Sequence, residues 1–106
     1  MDAPRPRIDI PREKIAAFCR KWKVAELSLF GSVLRDDFRP DSDVDMIVAL
    51  KSGPIEFEQF LAMKEELEKI FAREVDLLTK SSVERSPNPY RKADILNSAY
   101  PIYEAA

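Results

Sequence analysis

Two short motifs set the strongest constraint on how this chain folds. Residues 30–32 read Phe-Gly-Ser, and after a gap of ten residues Asp43 and Asp45 stand at the start of an apolar run. Side chains alternate faces along a strand, so Asp43 and Asp45 project from the same side, about 7 Å apart. Gly31 frees the backbone after an apolar segment, and Ser32 adds a hydroxyl and an amide that suit a phosphate. Together the motifs predict a nucleotide site with metal-binding carboxylates.

The length and composition favour one compact unit. The chain has 106 residues and 45% apolar content, which is enough for one core and leaves no room for a second. We therefore predict a single domain over residues 1–106. No apolar run approaches membrane-spanning length, and residues 1–12 carry proline and charge where a signal peptide needs an apolar stretch. A cytoplasmic protein with no membrane contact is expected.

The residue types exclude several kinds of chemistry. The absence of histidine removes the usual zinc ligands and the commonest general base, so a bound metal ion would need oxygen ligands. The single cysteine, Cys19, excludes an internal disulfide and is interpreted as a small core residue of a helix. The net charge of −2 gives no broad cationic field, so direct binding of nucleic acid is not expected.

The hydrophobic pattern predicts helices and strands in alternation. Helices are predicted over residues 11–22, from the break at 52–54 to about residue 72, and over 90–99. Strands are predicted over residues 27–30, 44–50 and 74–79, with an edge strand over 100–103. A polar loop is predicted over residues 80–89. The second helix is expected to bury one apolar side, formed by Phe57, Phe60, Leu61, Leu67, Ile70 and Phe71.

A calcium-binding loop is one alternative for the acidic motif, because Asp41, Asp43 and Asp45 have its one-three-five spacing. It fails, since the sixth position would be Met46 where such loops need glycine, and the twelfth Ser52 where they need glutamate. A solvated turn is the other alternative. Asp43 and Asp45, however, stand at the start of an apolar strand, where burial of a charged carboxylate is costly unless a cation neutralises it. The sequence therefore favours metal binding.

A third carboxylate, Asp76, stands alone inside the apolar strand predicted over residues 74–79. If this strand neighbours the one over residues 44–50, Asp76 completes a cluster with Asp43 and Asp45. Such a cluster suits two magnesium ions, which keep several waters and bind substrate phosphates. The alternative interpretation is an edge-strand aspartate that faces water.

At this point the chain resembles the minimal nucleotidyltransferase (MNT) members of the polymerase-beta-like nucleotidyltransferase superfamily. The resemblance is carried by the Phe-Gly-Ser motif, the ten-residue gap, the pair Asp43 and Asp45, and the later Asp76. It implies an α/β fold with a small mixed β-sheet flanked by helices. It also implies that Gly31 and Ser32 hold the triphosphate of ATP. The three carboxylates would be the catalytic ligands of Mg²⁺, and Asp76 would also help to deprotonate the acceptor hydroxyl.

Arg35 follows Ser32 by three residues, about one helical turn, and so could reach the same phosphates. Many relatives in this family carry glycine directly after the matching arginine, where this chain has Asp36. A surface arginine paired with Asp36, Asp37 or Asp41 is an equal alternative. Both interpretations of Arg35 stay open at the level of sequence.

The same resemblance implies a function. MNT proteins of this size are antitoxins of two-gene toxin–antitoxin modules, and they transfer AMP from ATP to a tyrosine of a HEPN-domain ribonuclease toxin. The expected partners are therefore ATP and a HEPN toxin encoded nearby, in a hetero-oligomer. Two alternatives remain: a non-catalytic antitoxin that covers its partner, and a small-molecule nucleotidyltransferase of the antibiotic-modifying kind. The first has no need of Asp76, and the second usually carries added sequence for its substrate.

Overall fold

The computed structural model describes residues 8, 10–34, 39, 42–51, 53, 55–85 and 87–105. The helices within them are α1 (Arg12–Trp22), α2 (Phe57–Phe71), α3 (Lys80–Glu84) and α4 (Pro89–Ser98). The strands within them are β1 (Val24–Phe30), β2 (Val44–Leu50), β3 (Val75–Thr79) and β4 (Tyr100–Glu104). A short 3₁₀ helix, Gly31–Leu34, follows β1 directly. None of the described helices combines the length and the apolar character needed to cross a membrane.

The strands form one mixed sheet in the order β3-β2-β1-β4. β1 is antiparallel to both β2 and β4, whereas β2 and β3 run parallel. A parallel pair needs a crossover connection, and α2 supplies it. The predicted α/β fold, a small mixed sheet with flanking helices, is confirmed. The strands that carry Asp45 and Asp76 are neighbours, which was the condition for a cluster of three carboxylates.

The main apolar core lies on the face of the sheet that α1 and α2 cover. Strand alternation sends Val44, Met46 and Val48 to this face, and all three are fully buried. From α1, Ile15 and Phe18 pack against them at helical spacing. Burial of side chains of this size contributes about 2 kcal/mol each relative to exposure. This core fixes the orientation of β2 and so directs its alternate residues to the other face.

A smaller apolar cluster covers part of that other face. It consists of Phe30, Ile47, Val83 and Ile95, and the last two belong to α3 and α4. Asp45 is two residues before Ile47 in β2, so the two side chains share this face. The candidate carboxylates therefore lie on the side of the sheet with the thinner cover.

Several predicted boundaries differ from the structure by a residue or two, and two predictions differ by more. Residues 80–89 were expected to be a polar loop but contain α3, whose start is capped when the Thr79 hydroxyl accepts a hydrogen bond from Ser82 N at 3.1 Å. Five residues are too few to show a helical period. β1 begins at Val24 instead of residue 27, because Val24 pairs with Leu50 at the far end of β2.

The predicted apolar side of α2 is also partly wrong. Phe57 and Leu61 are 73% and 42% exposed, and the fully buried positions are Met63 and Leu67. Phe60, Ile70 and Phe71 pack against the core beside these two, whereas Phe57 and Leu61, four residues apart, lie on the outer edge of the apolar side. The helical period indicates which residues share a side, but it does not indicate how wide a stripe of that side the core covers.

Cys19 is buried in the main core, and burial raises the pKa of its thiol to about 12. The thiol therefore stays protonated at neutral pH and is no nucleophile. The interpretation of Cys19 as a core residue is confirmed.

The start of β3 depends on one carboxylate of α2. Glu68 Oε2 accepts hydrogen bonds from Val75 N at 3.1 Å and from Lys64 Nζ at 3.2 Å. The amide hydrogen bond, assisted by Lys64, holds the pKa of Glu68 below its ordinary value.

We expect Glu68→Ala to lower the free energy of unfolding by about 1 kcal/mol at neutral pH, since the Val75 amide loses its acceptor. Because the folded pKa is the lower one, this contribution is present above about pH 4.3 and is lost as the pH falls through the folded pKa. Urea denaturation at pH 7 and pH 3 measures both effects. Glu65→Ala, at an exposed carboxylate of the same helix, is the control. Equal losses in both variants would contradict this role of Glu68.

Candidate active site

The first part of the candidate site joins the end of β1 to the start of β2. Phe30 and Asp45 are antiparallel partners, so Gly31 follows where the Asp45 side chain emerges. Gly31 has φ +76°, in the left-handed region that favours glycine. A Cβ at this position would overlap Asp45 Oδ2 and lie 3.3 Å from Asp45 Cγ. The Asp45 carboxylate therefore lies directly against the Gly31 backbone.

The second part joins β2 to β3. Asp45 and Asp76 are register partners in the parallel pair, so their side chains share a face and their Cα atoms lie about 5 Å apart. Asp76 is exposed, whereas Asp45 is half-buried. Asp43, also exposed, is the residue directly before β2. The fold thus places all three carboxylates at one end of two neighbouring strands.

The donor chemistry of these residues fits a hard divalent cation, because carboxylate oxygens are the ligands that Mg²⁺ prefers. Within the described part of the chain, no three acidic or cysteine side chains are arranged so that they could hold one metal ion between them. A complete ligand set would therefore need rotation of these side chains on a fixed backbone. Mg²⁺ usually binds through one or two carboxylates together with waters and substrate phosphates, so a full protein cage is not required.

The residues expected to contact phosphate are only partly described. Ser32 belongs to the 3₁₀ helix that follows β1, so its backbone lies beside the Gly31 end of the site. Arg35 lies outside the described residues, as does Asp41, and both interpretations of Arg35 stay open.

The sequence did not reveal a long-range clamp on the segment before Asp43. Arg73 Nη1 donates hydrogen bonds to the carbonyl oxygens of Arg39 and Ser42, each at 3.2 Å. The same segment also closes on itself, because Ser42 N donates to Arg39 O at 3.0 Å. Arg73 stands in the turn between α2 and β3, far along the chain, so no local pattern indicates the contact. These hydrogen bonds hold the backbone at Arg39 and Ser42, just before β2, in place.

A second polar feature lies further along the face of the sheet that carries Asp45. Lys80 Nζ lies 3.0 Å from Glu26 Oε2, and this hydrogen-bonded ion pair raises the pKa of Lys80. Both side chains line a cavity of ≈ 240 Å³ together with Ser28. The Ser28 hydroxyl is buried and has no hydrogen-bond partner among the described residues. None of these residues stood out in the sequence, since each is an ordinary polar residue of a strand or strand end.

Gly31→Ala would place a methyl group where Asp45 Oδ2 lies. Gly53→Ala is the matched control, because Gly53 also has a positive φ, +100°, but nothing lies within 4 Å of its Cβ position. We expect the control to lose about 1 kcal/mol of stability from backbone strain. Gly31→Ala should lose at least about twice as much, since the overlap adds to the strain. Chemical denaturation measures both; equal losses would mean that Asp45 moves aside without cost.

Arg73→Gln should loosen the segment before β2 without unfolding the domain, because it removes hydrogen bonds from a charged donor to two carbonyl groups. We expect amide hydrogen exchange over residues 42–45 to rise about tenfold, while exchange in α1 stays at the parental rate. Mass spectrometry of peptic fragments measures this. Arg20→Gln, at an exposed arginine of α1, is the control. Parental exchange over residues 42–45 in the Arg73 variant would exclude the clamp.

Known proteins resemble the chain in sequence over most of its length. Residues 12–100 match the family model described as Nucleotidyltransferase domain. A protein of Methanocaldococcus jannaschii, provisionally named a protein adenylyltransferase, is 40% identical over 76 residues. That alignment covers 71% of this chain and 73% of the relative.

Solved structures resemble the chain in fold. A toxin–antitoxin crystal structure with AMP-PNP has a TM-score of 0.69 at 18% identity, covering 91% of this chain and 75% of that one. A provisionally assigned minimal nucleotidyltransferase has a TM-score of 0.66 at 28% identity, covering 85% and 87%. A complex of a tri-AMPylated Shewanella oneidensis HEPN toxin with an MNT antitoxin has a TM-score of 0.61 at 19% identity, covering 89% and 70%. The chain therefore belongs to the nucleotidyltransferase family and has the fold of its minimal members.

Proposed function

We propose that the chain is a magnesium-dependent enzyme that transfers AMP from ATP to a tyrosine hydroxyl of a HEPN-type toxin, and so acts as an antitoxin. The observation that carries the proposal is the line formed by Gly31, directly after β1, Asp45 in β2 and Asp76 in β3. AMP transfer to a protein and the HEPN partner are supported by the comparisons: a relative provisionally named a protein adenylyltransferase, and an MNT antitoxin bound to a tri-AMPylated HEPN toxin. The tyrosine acceptor is proposed from the resemblance of the sequence to MNT antitoxins.

In this proposal the donor nucleotide lies at the β1 end of the line. Backbone amides that follow a left-handed glycine can point together at a phosphate, so Gly31 and Ser32 hold the triphosphate. The absence of a side chain at Gly31 lets the phosphates approach both these amides and the Asp45 carboxylate. Arg35 is proposed as an additional phosphate contact.

The acceptor lies at the β3 end. Asp43, Asp45 and Asp76 hold Mg²⁺, which when bound neutralises charge on the phosphates. Asp76 is exposed and lies one strand further from Gly31 than Asp45 does, so an acceptor hydroxyl can reach it.

The transfer is a single in-line displacement. The hydroxyl oxygen bonds to the α-phosphorus and its proton passes to the Asp76 carboxylate. The bond from the α-phosphorus to the oxygen bridging the β-phosphate breaks, pyrophosphate leaves on the Gly31 side, and AMP remains on the acceptor.

Asp76→Asn should reduce the rate of AMP transfer by at least about a hundredfold, since the amide cannot take the proton. ATP binding should be largely kept, because Asp43 and Asp45 retain most of the metal contacts. The parent and the variant are each mixed with the HEPN protein and magnesium-ATP. AMP addition is followed by intact mass spectrometry, toxin ribonuclease activity in parallel, and ATP affinity by calorimetry. Asp94→Asn, at an exposed aspartate of α4, makes the same charge change outside the site.

Loss of AMP addition and of toxin silencing in the Asp76 variant alone supports catalytic neutralisation. If that variant silences the toxin as well as the parent does, and no AMP appears on either protein, the enzymatic proposal is wrong. The chain would then act as a binding protein that covers its partner.

A further inference from the structure

The cavity lined by Ser28 lies between the sheet and the end of α4. Ser28 and Ile47, antiparallel partners in β1 and β2, line it from the sheet. Leu96 of α4 and the adjacent Ala99 line it from the other side. We call it the Ser28 cavity. Its volume of ≈ 240 Å³ exceeds the space of a single water, about 30 Å³, and is sufficient for a small organic ligand.

The inner wall of the Ser28 cavity has an unmet hydrogen-bonding capacity. Ser28 is only 2% exposed, and its Oγ has no hydrogen-bond partner among the residues that the structure describes. A buried hydroxyl without a partner is destabilising, because it has lost its hydrogen bonds to water and gained none in return. Ser28 therefore indicates that a polar group belongs in the cavity.

The mouth of the cavity brings two carboxylates together. Lys80, directly after β3, reaches across β2 to bind the Glu26 carboxylate of β1. Glu104 of β4 is the antiparallel partner of Glu26, so these two side chains share a face, with Cα atoms about 5 Å apart. Like charges directly opposite each other destabilise a sheet. A cation that contacts both Glu26 and Glu104 would remove this repulsion.

One lysine does not neutralise the group. The hydrogen bond and charge of Glu26 raise the pKa of Lys80, and the charges of Glu84 and Glu104 add to this effect. Within the described part of the chain, Glu84 and Glu104 have no ion pair. Three carboxylates around one ammonium group therefore leave two negative charges uncompensated.

The shape and lining of the cavity select among cations. No three acidic side chains of the described residues are arranged so that they could hold one metal ion, and a metal ion would leave the apolar lining uncovered. An aliphatic diammonium ion instead supplies two positive charges, hydrogen-bond donors for a hydroxyl, and methylene groups for Ile47 and Leu96. Ser28 and Glu104 are diagonal neighbours on adjacent strands, about 8 Å apart. A chain of four methylene groups with an ammonium group at each end can join them.

We propose that the Ser28 cavity binds an aliphatic diammonium ion. The inner ammonium group donates hydrogen bonds to Ser28 Oγ and to the Glu26 carboxylate. The methylene groups lie against Ile47 and Leu96, and the outer ammonium group lies beside Glu104. Binding in this cavity needs no AMP transfer.

Calorimetry of the full chain at low ionic strength compares 1,4-diaminobutane with 1-aminobutane, which has the same apolar chain but one ammonium group. We expect the diamine to bind at least about tenfold more tightly. Ser28→Ala and Glu104→Gln should each weaken diamine binding about tenfold, since each removes a partner of a charged group. Glu13→Gln, at an exposed glutamate of α1, makes the same charge change as Glu104→Gln and should keep the parental affinity. Melting temperatures confirm that the variants are folded.

Two further variants locate the ligand. Lys80→Met should strengthen diamine binding, because it removes the cation that competes for Glu26, whereas Lys69→Met, at an exposed lysine of α2, should not. Asp76→Asn should keep the parental affinity, which distinguishes the Ser28 cavity from the carboxylates of the candidate active site.

Equal binding of the two amines, or binding of neither, overturns the inference. So does a diamine affinity that survives both Ser28→Ala and Glu104→Gln, since the amine would then be attracted only by the negative surface as a whole. A loss of binding in Asp76→Asn alone would place the ligand at the candidate active site and would also overturn it.

Discussion

The parallel pairing of β2 with β3 decides where the rest of the site can lie. It aligns Asp45 with Asp76, and a shift of one residue would send Asp76 to the opposite face, because side chains alternate along a strand. Groups outside the strands reinforce this register. Val44 N donates to Glu74 O at 3.0 Å, and a carboxylate of α2 accepts from the first amide of β3. The crossover helix therefore positions the carboxylates of the site although none of its own residues belongs to them.

The two faces of the sheet differ in how completely they are covered. The main core under α1 and α2 holds most of the buried side chains. On the other face, α3 has 5 residues and α4 has 10, so they cover only part of the sheet. Carboxylates that must meet phosphates and an acceptor need access, which the thinly covered face provides. A cavity beside Leu78, between β3 and these helices, has the same origin, since two short helices do not fill it. The face under α1 and α2 thus provides most of the stability, and the other face gives phosphates and an acceptor access to the carboxylates.

Local patterns in the sequence were sufficient to predict those features that depend on residues close together in the chain. The alternation over residues 44–50 predicted β2 with its observed bounds. The spacing between Gly31 and the acidic motif predicted one shared site, and the fold brings Gly31 against Asp45. Contacts between distant segments gave no such signal. α3 depends on the Thr79 cap, and the clamp on the approach to β2 depends on Arg73, a residue about thirty positions further along the chain.

β1 lies between β2 and β4, and β4 follows it by about 70 residues in the chain. A ribosome that adds about 5–20 residues per second makes β1 and β2 several seconds before β4. During that interval the outer edge of β1 has unpaired amide and carbonyl groups, and such an edge can pair with a strand from another chain. β1, which ends directly before Gly31, is therefore the last of the two central strands to have both of its neighbours synthesised. All three carboxylates of the site are thus synthesised before the strand that protects the outer edge of β1.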